Sequence, residues 1–320
     1  MLDVFFTFDV EVWCDGWVDI DAKFARSFRQ YIYGSTAHGE FGLPYILAKL
    51  NEYNLRGVFF VEPLFATRFG LEPLTEIVQL IKESGHEIQL HLHTEWVDES
   101  REPLLENMNE KRQYLRNFSL SEQTVLIAKG IELIQKTNGG TVNAFRAGSF
   151  GFNVETMNAL AKNNIVFDSS YNASISGLES GLMPGQPLTE PIECGSVYEY
   201  PMTVFSDGTR SLRHAQLTAC SFREMEGLLW QACKLGRKAF VILAHNFELL
   251  SPDKSRPAEI VVNRFHRLCN FLDQNRAHFR VRCFSELEPS SVLLQPEPLA
   301  SPFWRTGLRM MEQFSSRSHA

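Results

Sequence analysis

The segment HEIQLHLHTEW (86–96) carries two histidines two residues apart. Side chains at alternate positions of a strand share a face, so Glu87, Gln89, His91 and His93 point one way and Ile88, Leu90 and Leu92 the other. Two imidazoles ending one face of a buried strand are a candidate metal pair, because neutral imidazole is a favoured ligand of zinc and its neighbours. Glu95 follows four residues after His91, and His86 falls at the opposite end of the same strand. The N-terminal run LDVFFTFDVEVW has the same period. Phe5, Thr7, Asp9 and Glu11 share a face opposite Val4, Phe6, Phe8 and Val10, which puts two carboxylates at the strand's C-terminal end. Taken alone, Asp9 reads as a turn cap and Glu11 as a solvated acid. Three further segments change the balance. ILAHNFEL places His245 after the apolar run AFVILA, where a polar group is costly unless it is used or paired. FRAGSFGFN and VFDSSYN place Arg146 and Asp168 at two more strand ends, where the bland alternative is a single structural ion pair. Strand after strand ends in a titratable group.

The elements that must position these groups alternate along the chain. Strand-like runs occupy 2–8, 57–61, 86–92, 141–147, 165–168, 197–201, 239–245 and 278–284, with helical patterns between them. Several helical stretches begin near Ser, Thr, Asn or Pro and end in Gly or Asn, the usual start and stop signals. Serial β-α repetition predicts a parallel sheet covered by helices. Eight such runs suit an α/β barrel, whose active sites lie at the C-terminal strand ends, with an open doubly wound sheet as the alternative. Segment 171–220, rich in Ser, Gly and Pro, reads as a long excursion on the barrel. The barrel is expected over 1–287, and 288–320 as a Pro-rich C-terminal extension ending in a short amphipathic helix, WRTGLRMMEQF.

The chain has 320 residues, 44% hydrophobic and 22% charged, the balance of an ordinary globular protein. A formal charge of −7 argues against a nucleic-acid partner, which needs a basic face. The N-terminus lacks a basic start, and Asp9 interrupts its apolar run, so no export signal is read there. No stretch approaches the ~20 apolar residues of a spanning helix. The six cysteines are scattered without a CxxC pair, which fits reduced thiols and a cytoplasmic location.

In their order, these stretches resemble the motifs of the polysaccharide deacetylase family (the NodB homology domain, carbohydrate esterase family 4). TFDVE resembles the family's TFDDG, and GHEIQLHLHTE its G-H-E-[IV]-x-x-H-[ST]-x-x-H. FRAGSFG resembles R-x-P-Y-G, FDSS the Asp-containing fourth motif, ILAH the closing L-x-x-H, and GVFFV the supporting A-T-F-F-V strand. The resemblance runs from Leu2 to Leu287. It implies a distorted (β/α) barrel, a divalent metal, commonly zinc, and hydrolysis of an acyl group, typically N-acetyl on a saccharide. By position, Asp9 would be the general base, His91 a metal ligand, Arg146 the holder of the base, Asp168 the residue orienting the acid, and His245 that acid. Two departures stand out. The family's second Asp is Val10 here, with Glu11 the nearest replacement ligand. Its second ligand His is Glu95 here, so either Glu95 or His93 completes a set with Glu11 and His91.

With no export signal read, the resemblance suggests a saccharide intermediate rather than a wall polymer, and Trp13, Trp17, Trp96, Tyr171 and Phe247 are candidate stacking surfaces for a sugar ring, or ordinary rim packing. The residues leave two alternatives. One is a metal-dependent hydrolase of a non-sugar amide or ureide C–N bond; the other is a degraded site in a saccharide-binding pseudoenzyme.

Overall fold

The computed structural model describes residues 1–106, 110–175, 177–208 and 211–318. The strands among them are β1 (Leu2–Val10), β2 (Ser35–Thr36), β3 (Gly39–Glu40), β4 (Val58–Val61), β5 (Glu87–Leu92), β6 (Ala144–Ala147), β7 (Phe167–Asp168), β8 (Ile192–Cys194), β9 (Val197–Glu199), β10 (Val204–Ser206), β11 (Leu212–His214), β12 (Ala239–His245), β13 (Phe279–Val281) and β14 (Leu299–Ala300). The α-helices are α1 (Ile20–Phe28), α2 (Leu43–Glu52), α3 (Ala66–Phe69), α4 (Leu71–Glu83), α5 (Leu120–Lys136), α6 (Val154–Lys162), α7 (Phe222–Lys234), α8 (Glu259–Gln274) and α9 (Phe303–Ser318). Capping boxes start α5 at Ser119, α6 at Asn153 and α7 at Ser221, each side chain taking up an otherwise orphaned N–H of the first turn.

All eight expected strands are present, some of them shorter than their sequence patterns. The central sheet runs β12-β1-β4-β5-β6-β7-β9-β8. It is parallel except for the β8–β9 pair. The last long strand lies beside the first, and the rest follow in chain order. That wrap-around belongs to a barrel and not to a doubly wound sheet, whose order reverses at a switch point. The barrel is distorted. β13 does not close it but takes the first part of one edge of β1, pairing with Leu2–Val4, while β4 pairs with Thr7–Val10. On the outer side of β12, residues 215–217 supply a ladder around Leu243, whose N–H reaches Ala215 O at 2.9 Å and whose carbonyl accepts from Leu217 N at 3.0 Å. The tail returns to the body through β14, which pairs with β10, and through Arg309 of α9, held between Glu224 and Asp207 at 2.8 Å each. Among the described residues no helix is long and apolar enough to cross a membrane.

The alternation read in β1 separates two cores. Val4, Phe6, Phe8 and Val10 belong to the outer layer under the helices, while Phe5 fills the barrel with Phe60, Phe167, Tyr200 and Phe284. Phe5 stacks on Phe284 at 4.8 Å between centroids. Each ring buried in this way contributes about 1.5–3 kcal/mol. The inner face of β5 changes role along its length. At the floor, Glu87 accepts the N–H groups of Phe284 and Ser285, and Gln89 Oε1 accepts those of Asn143 and Ala144. His91 and His93 come next, at the rim.

His86, just before β5, accepts the Gly57 N–H at 3.2 Å. Burial pushes its pKa down to about 4, and the Arg56 charge adds to the effect. Below its ordinary value of 6.5 the unfolded chain takes up a proton that the folded chain refuses. This residue's contribution to stability is therefore present above that value and declines as pH drops toward about 4. Relative to His86→Phe, the native protein is expected to lose roughly 1–2 kcal/mol between about pH 7 and pH 5, read from urea unfolding midpoints. Parallel slopes for the two proteins would show that the ring protonates freely in the fold.

Candidate metal and catalytic site

At the C-terminal rim, β1, β5, β6 and β12 bring their last polar residues together. Glu11 lies one residue past β1, and its extended path is held by Asn246, whose Oδ1 accepts the Glu11 N–H at 3.0 Å and whose Nδ2 donates to Glu11 O at 3.1 Å. Glu11 Oε1 faces His93 Nε2 at 2.9 Å, His91 Nε2 at 3.1 Å and His245 Nε2 at 3.9 Å. Its other oxygen accepts from Trp13 Nε1 at 2.6 Å. Among the described residues, Glu11, His91 and His93 form one group whose donor atoms all lie within 4.8 Å, and Asp9, Glu11 and His245 form another.

The far nitrogens of both rings are occupied. His91 Nδ1 donates to the Arg146 carbonyl at 2.8 Å, and His93 Nδ1 sits 3.2 Å from Glu95 Oε2. Such partners fix tautomer and ring angle and leave Nε2 as the electron-pair donor, the usual arrangement behind metal-ligating histidine. Glu95 therefore stands behind His93 and outside the converging group. Gly148 permits this packing, since a Cβ there would fall 2.6 Å from Leu92 O and 2.8 Å from His93 Nδ1.

The protein's own charges ask for a cation at this point. Burial would raise the Glu11 carboxyl, but the charge of His93 and the close Nε2 contacts of His91 and His93 hold it well below its usual range. Burial would likewise lower His93, and the carboxylates of Glu11 and Glu95 push it well above instead. A proton on His93 or a divalent ion in front of it satisfies the same demand. Two imidazoles and one carboxylate are a donor set that suits zinc and leaves coordination positions open.

Asp9 and His245 flank this group. Arg146, fully buried, binds Asp9 Oδ1 at 2.5 Å and is itself fixed by Ser169, to whose carbonyl Nε donates at 3.1 Å and to whose hydroxyl Nη2 donates at 3.2 Å. The free oxygen of Asp9 lies 3.9 Å from His91 Nε2 and 4.0 Å from His245 Nε2. His245 Nδ1 is held by Glu248 Oε1 at 2.7 Å. Burial opposes a charge on His245, yet Glu248, with smaller contributions from Glu11 and Asp9, raises its pKa to about 9.

Asp168 is not the partner of His245 in this structure. Its Oδ1 accepts from Ser170 Oγ at 2.6 Å, and it lies opposite Glu199 in the β7–β9 register. Burial raises both carboxyls, Glu199 well above its usual range, so the two act as an acid pair sharing a proton. Sequence reasoning missed Glu248 and Asn246. Both follow the strand ILAH in HNFEL, where the two-residue period has ended and no face can be assigned. Of the candidate aromatics, Trp13 lines a cavity of about 260 Å3 with Phe150 and the polar group. Tyr171 and Trp96 are core side chains, Trp17 packs edge-on to Trp96, and Phe247 lies beside His245.

No protein-family model matches the sequence, and no curated protein does. Solved structures do match. One, from Mycobacterium smegmatis and named as a polysaccharide deacetylase, superposes with a TM-score of 0.56 at 18% identity over 92% of this chain and 94% of its own. A family 4 carbohydrate esterase from Streptomyces lividans in complex with acetate aligns over 87% of this chain and 90% of its own, at 14% identity and TM-score 0.43. A Bacillus anthracis pseudoenzyme of the same esterase family aligns over 86% and 62%, at 13% identity and TM-score 0.43. The first of these shows that the chain has the polysaccharide-deacetylase fold, a distorted (β/α) barrel.

Proposed function

We propose that the chain is a divalent-metal-dependent hydrolase of the polysaccharide deacetylase family that removes an N-acetyl group from a saccharide. The observation that carries this reading is the convergence of Glu11 Oε1, His91 Nε2 and His93 Nε2 at one point between an arginine-held carboxylate, Asp9, and a carboxylate-held imidazole, His245. Glu11, His91 and His93 would hold the ion, zinc by donor type. Once bound, such an ion polarises the acyl carbonyl and acidifies a water.

The remaining chemistry belongs to side chains. Asp9, held through Oδ1 by Arg146, accepts the proton of the attacking water at Oδ2. His245, kept protonated by Glu248, delivers its Nε2 proton to the departing nitrogen. The cation behind Asp9 and the carboxylate behind His245 suit a base and an acid working in one site. Trp13 and Phe150 wall a cavity that is small for a ligand site, of the size for one acyl-bearing ring rather than an oligomer.

The reading is tested by acetate release from N-acetylhexosamines, free and nucleotide-linked, with a ureide and linear-amide panel alongside. Zinc-loaded protein is expected to release acetate from a sugar, and Asp9→Asn and His245→Ala to lower kcat by at least about a hundredfold with the fold intact. Turnover confined to the non-sugar amides would move the substrate class, and an active, folded double variant would remove the proposed chemistry.

A further inference from the structure

A chain of hydrogen bonds leaves the back of His245 and runs into the excursion that precedes α7. Glu248 Oε1, which holds His245 Nδ1, also accepts from Gln216 Nε2 at 2.5 Å. Gln216 Oε1 lies 2.9 Å from His214 Nε2, and His214 Nδ1 lies 2.8 Å from Ser174 Oγ. Ser174 in turn donates to Asn172 Oδ1 from its N–H at 3.1 Å and from its hydroxyl at 2.7 Å. The polarity of this chain is fixed at the Glu248 end. A carboxylate can only accept, so the amide of Gln216 must turn its NH2 to Glu248 and its carbonyl to His214. His214 must then donate from Nε2. Burial lowers the pKa of His214, so the ring stays neutral with its proton on Nε2, and Nδ1 faces a Ser174 hydroxyl whose one proton it shares with Asn172 Oδ1. A reversed amide would set a carbonyl oxygen against the Glu248 carboxylate. The backbone supports the same geometry, because Gln216 forms a bridge with Leu243, two residues before His245.

We propose that Gln216 and His214 are positioning residues for His245: together they clamp Glu248 Oε1, so that the ring keeps Nδ1 on Glu248 and Nε2 toward Asp9 and Glu11. The proposal rests on the reading of His245 as the acid, and it gives the irregular segment 171–220 a part in the site. The test uses full-length Gln216→Leu, His214→Phe and His214→Gln. In metal-free protein, NMR of 15N-labelled histidine follows the hydrogen-bonded Nδ1 proton of His245. Its exchange with water is expected to quicken at least about tenfold in Gln216→Leu and His214→Phe, with thermal midpoints little changed, and to return toward native in His214→Gln, which restores a donor. On any substrate that native protein turns over, kcat should fall about ten- to a hundredfold with KM within about twofold. An unchanged Nδ1 proton overturns the proposal, as does a lost proton with kcat unaffected. If no substrate of the panel is turned over, the deacetylase reading fails, and the exchange measurement alone still decides whether these two residues hold the ring. Should Gln216→Leu not fold, His214→Phe, outside the bridge to β12, carries the test.

Discussion

In His93→Ala, zinc affinity is expected to fall about 100–1,000-fold, whereas in Glu95→Gln it should fall about 10–100-fold. The sequence left these two residues as alternatives for the same ligand position, and the geometry separates them. His93 turns Nε2 to Glu11 Oε1, while Glu95 touches only the far nitrogen of that ring. Apparent zinc affinities of about 10–16 kcal/mol over four ligands put roughly 2.5–4 kcal/mol on each, or two to three orders of magnitude in Kd. Loss of a partner behind a ligand costs the smaller factor. Calorimetry of metal-free protein reads both and adds a sign. His93 holds a proton well above its usual range when no metal is present, so zinc must displace it. Affinity should rise with pH through the neutral range, and protons should be released on binding. Glu95→Gln weakens one of the charges that raise His93, so it should release fewer protons even as it binds less tightly. Equal zinc binding by native and His93→Ala protein would remove the proposed ligand set.

The barrel was legible because β1, β5 and β12 are long, buried and regularly patterned, and a two-residue period then places every side chain on a known face. Asp9, Glu11, His91, His93 and His245 reach one rim for that reason. Legibility ends where the strands end. Glu11 keeps its face past Val10 only because Asn246 holds its backbone, a contact between residues 235 apart in the chain. Glu248 lies on a turn, where spacing does not give direction. Asp168 sits at a strand end as expected, but β7 has two residues and β9 three, too short for a two-residue period to assign faces, so the pairing of Asp168 with Glu199 had no local signal. Gln216 and His214 were hidden for the same reason: the segment that carries them has neither a strand nor a helix period.

Replacing Arg146 by methionine is expected to destabilise the metal-free protein by about 3–5 kcal/mol, the range for breaking a buried ion pair from one side. The guanidinium is wholly buried, binds Asp9, spans to the backbone and hydroxyl of Ser169, and lies over the Phe60 ring at 4.2 Å. Methionine fills much of the volume, so the loss comes from charge rather than from a cavity. It leaves the Asp9 carboxylate facing Glu11 with no cation behind it. Two controls separate this cause from simple misfitting. Asp9→Asn in the same background removes the orphaned charge, so the double variant should be more stable than Arg146→Met alone, a coupling read from urea unfolding as a double-mutant cycle. Zinc should also stabilise Arg146→Met, since a ligand that binds only the folded state shifts the unfolding equilibrium toward it. Arg146→Lys keeps the charge but cannot reach Asp9 and Ser169 with one planar group, and should fall between native and methionine. If Arg146→Met proves as stable as the native protein, and adding Asp9→Asn changes nothing, then Asp9 is not held as a buried anion, and the case for it as the base loses its electrostatic footing.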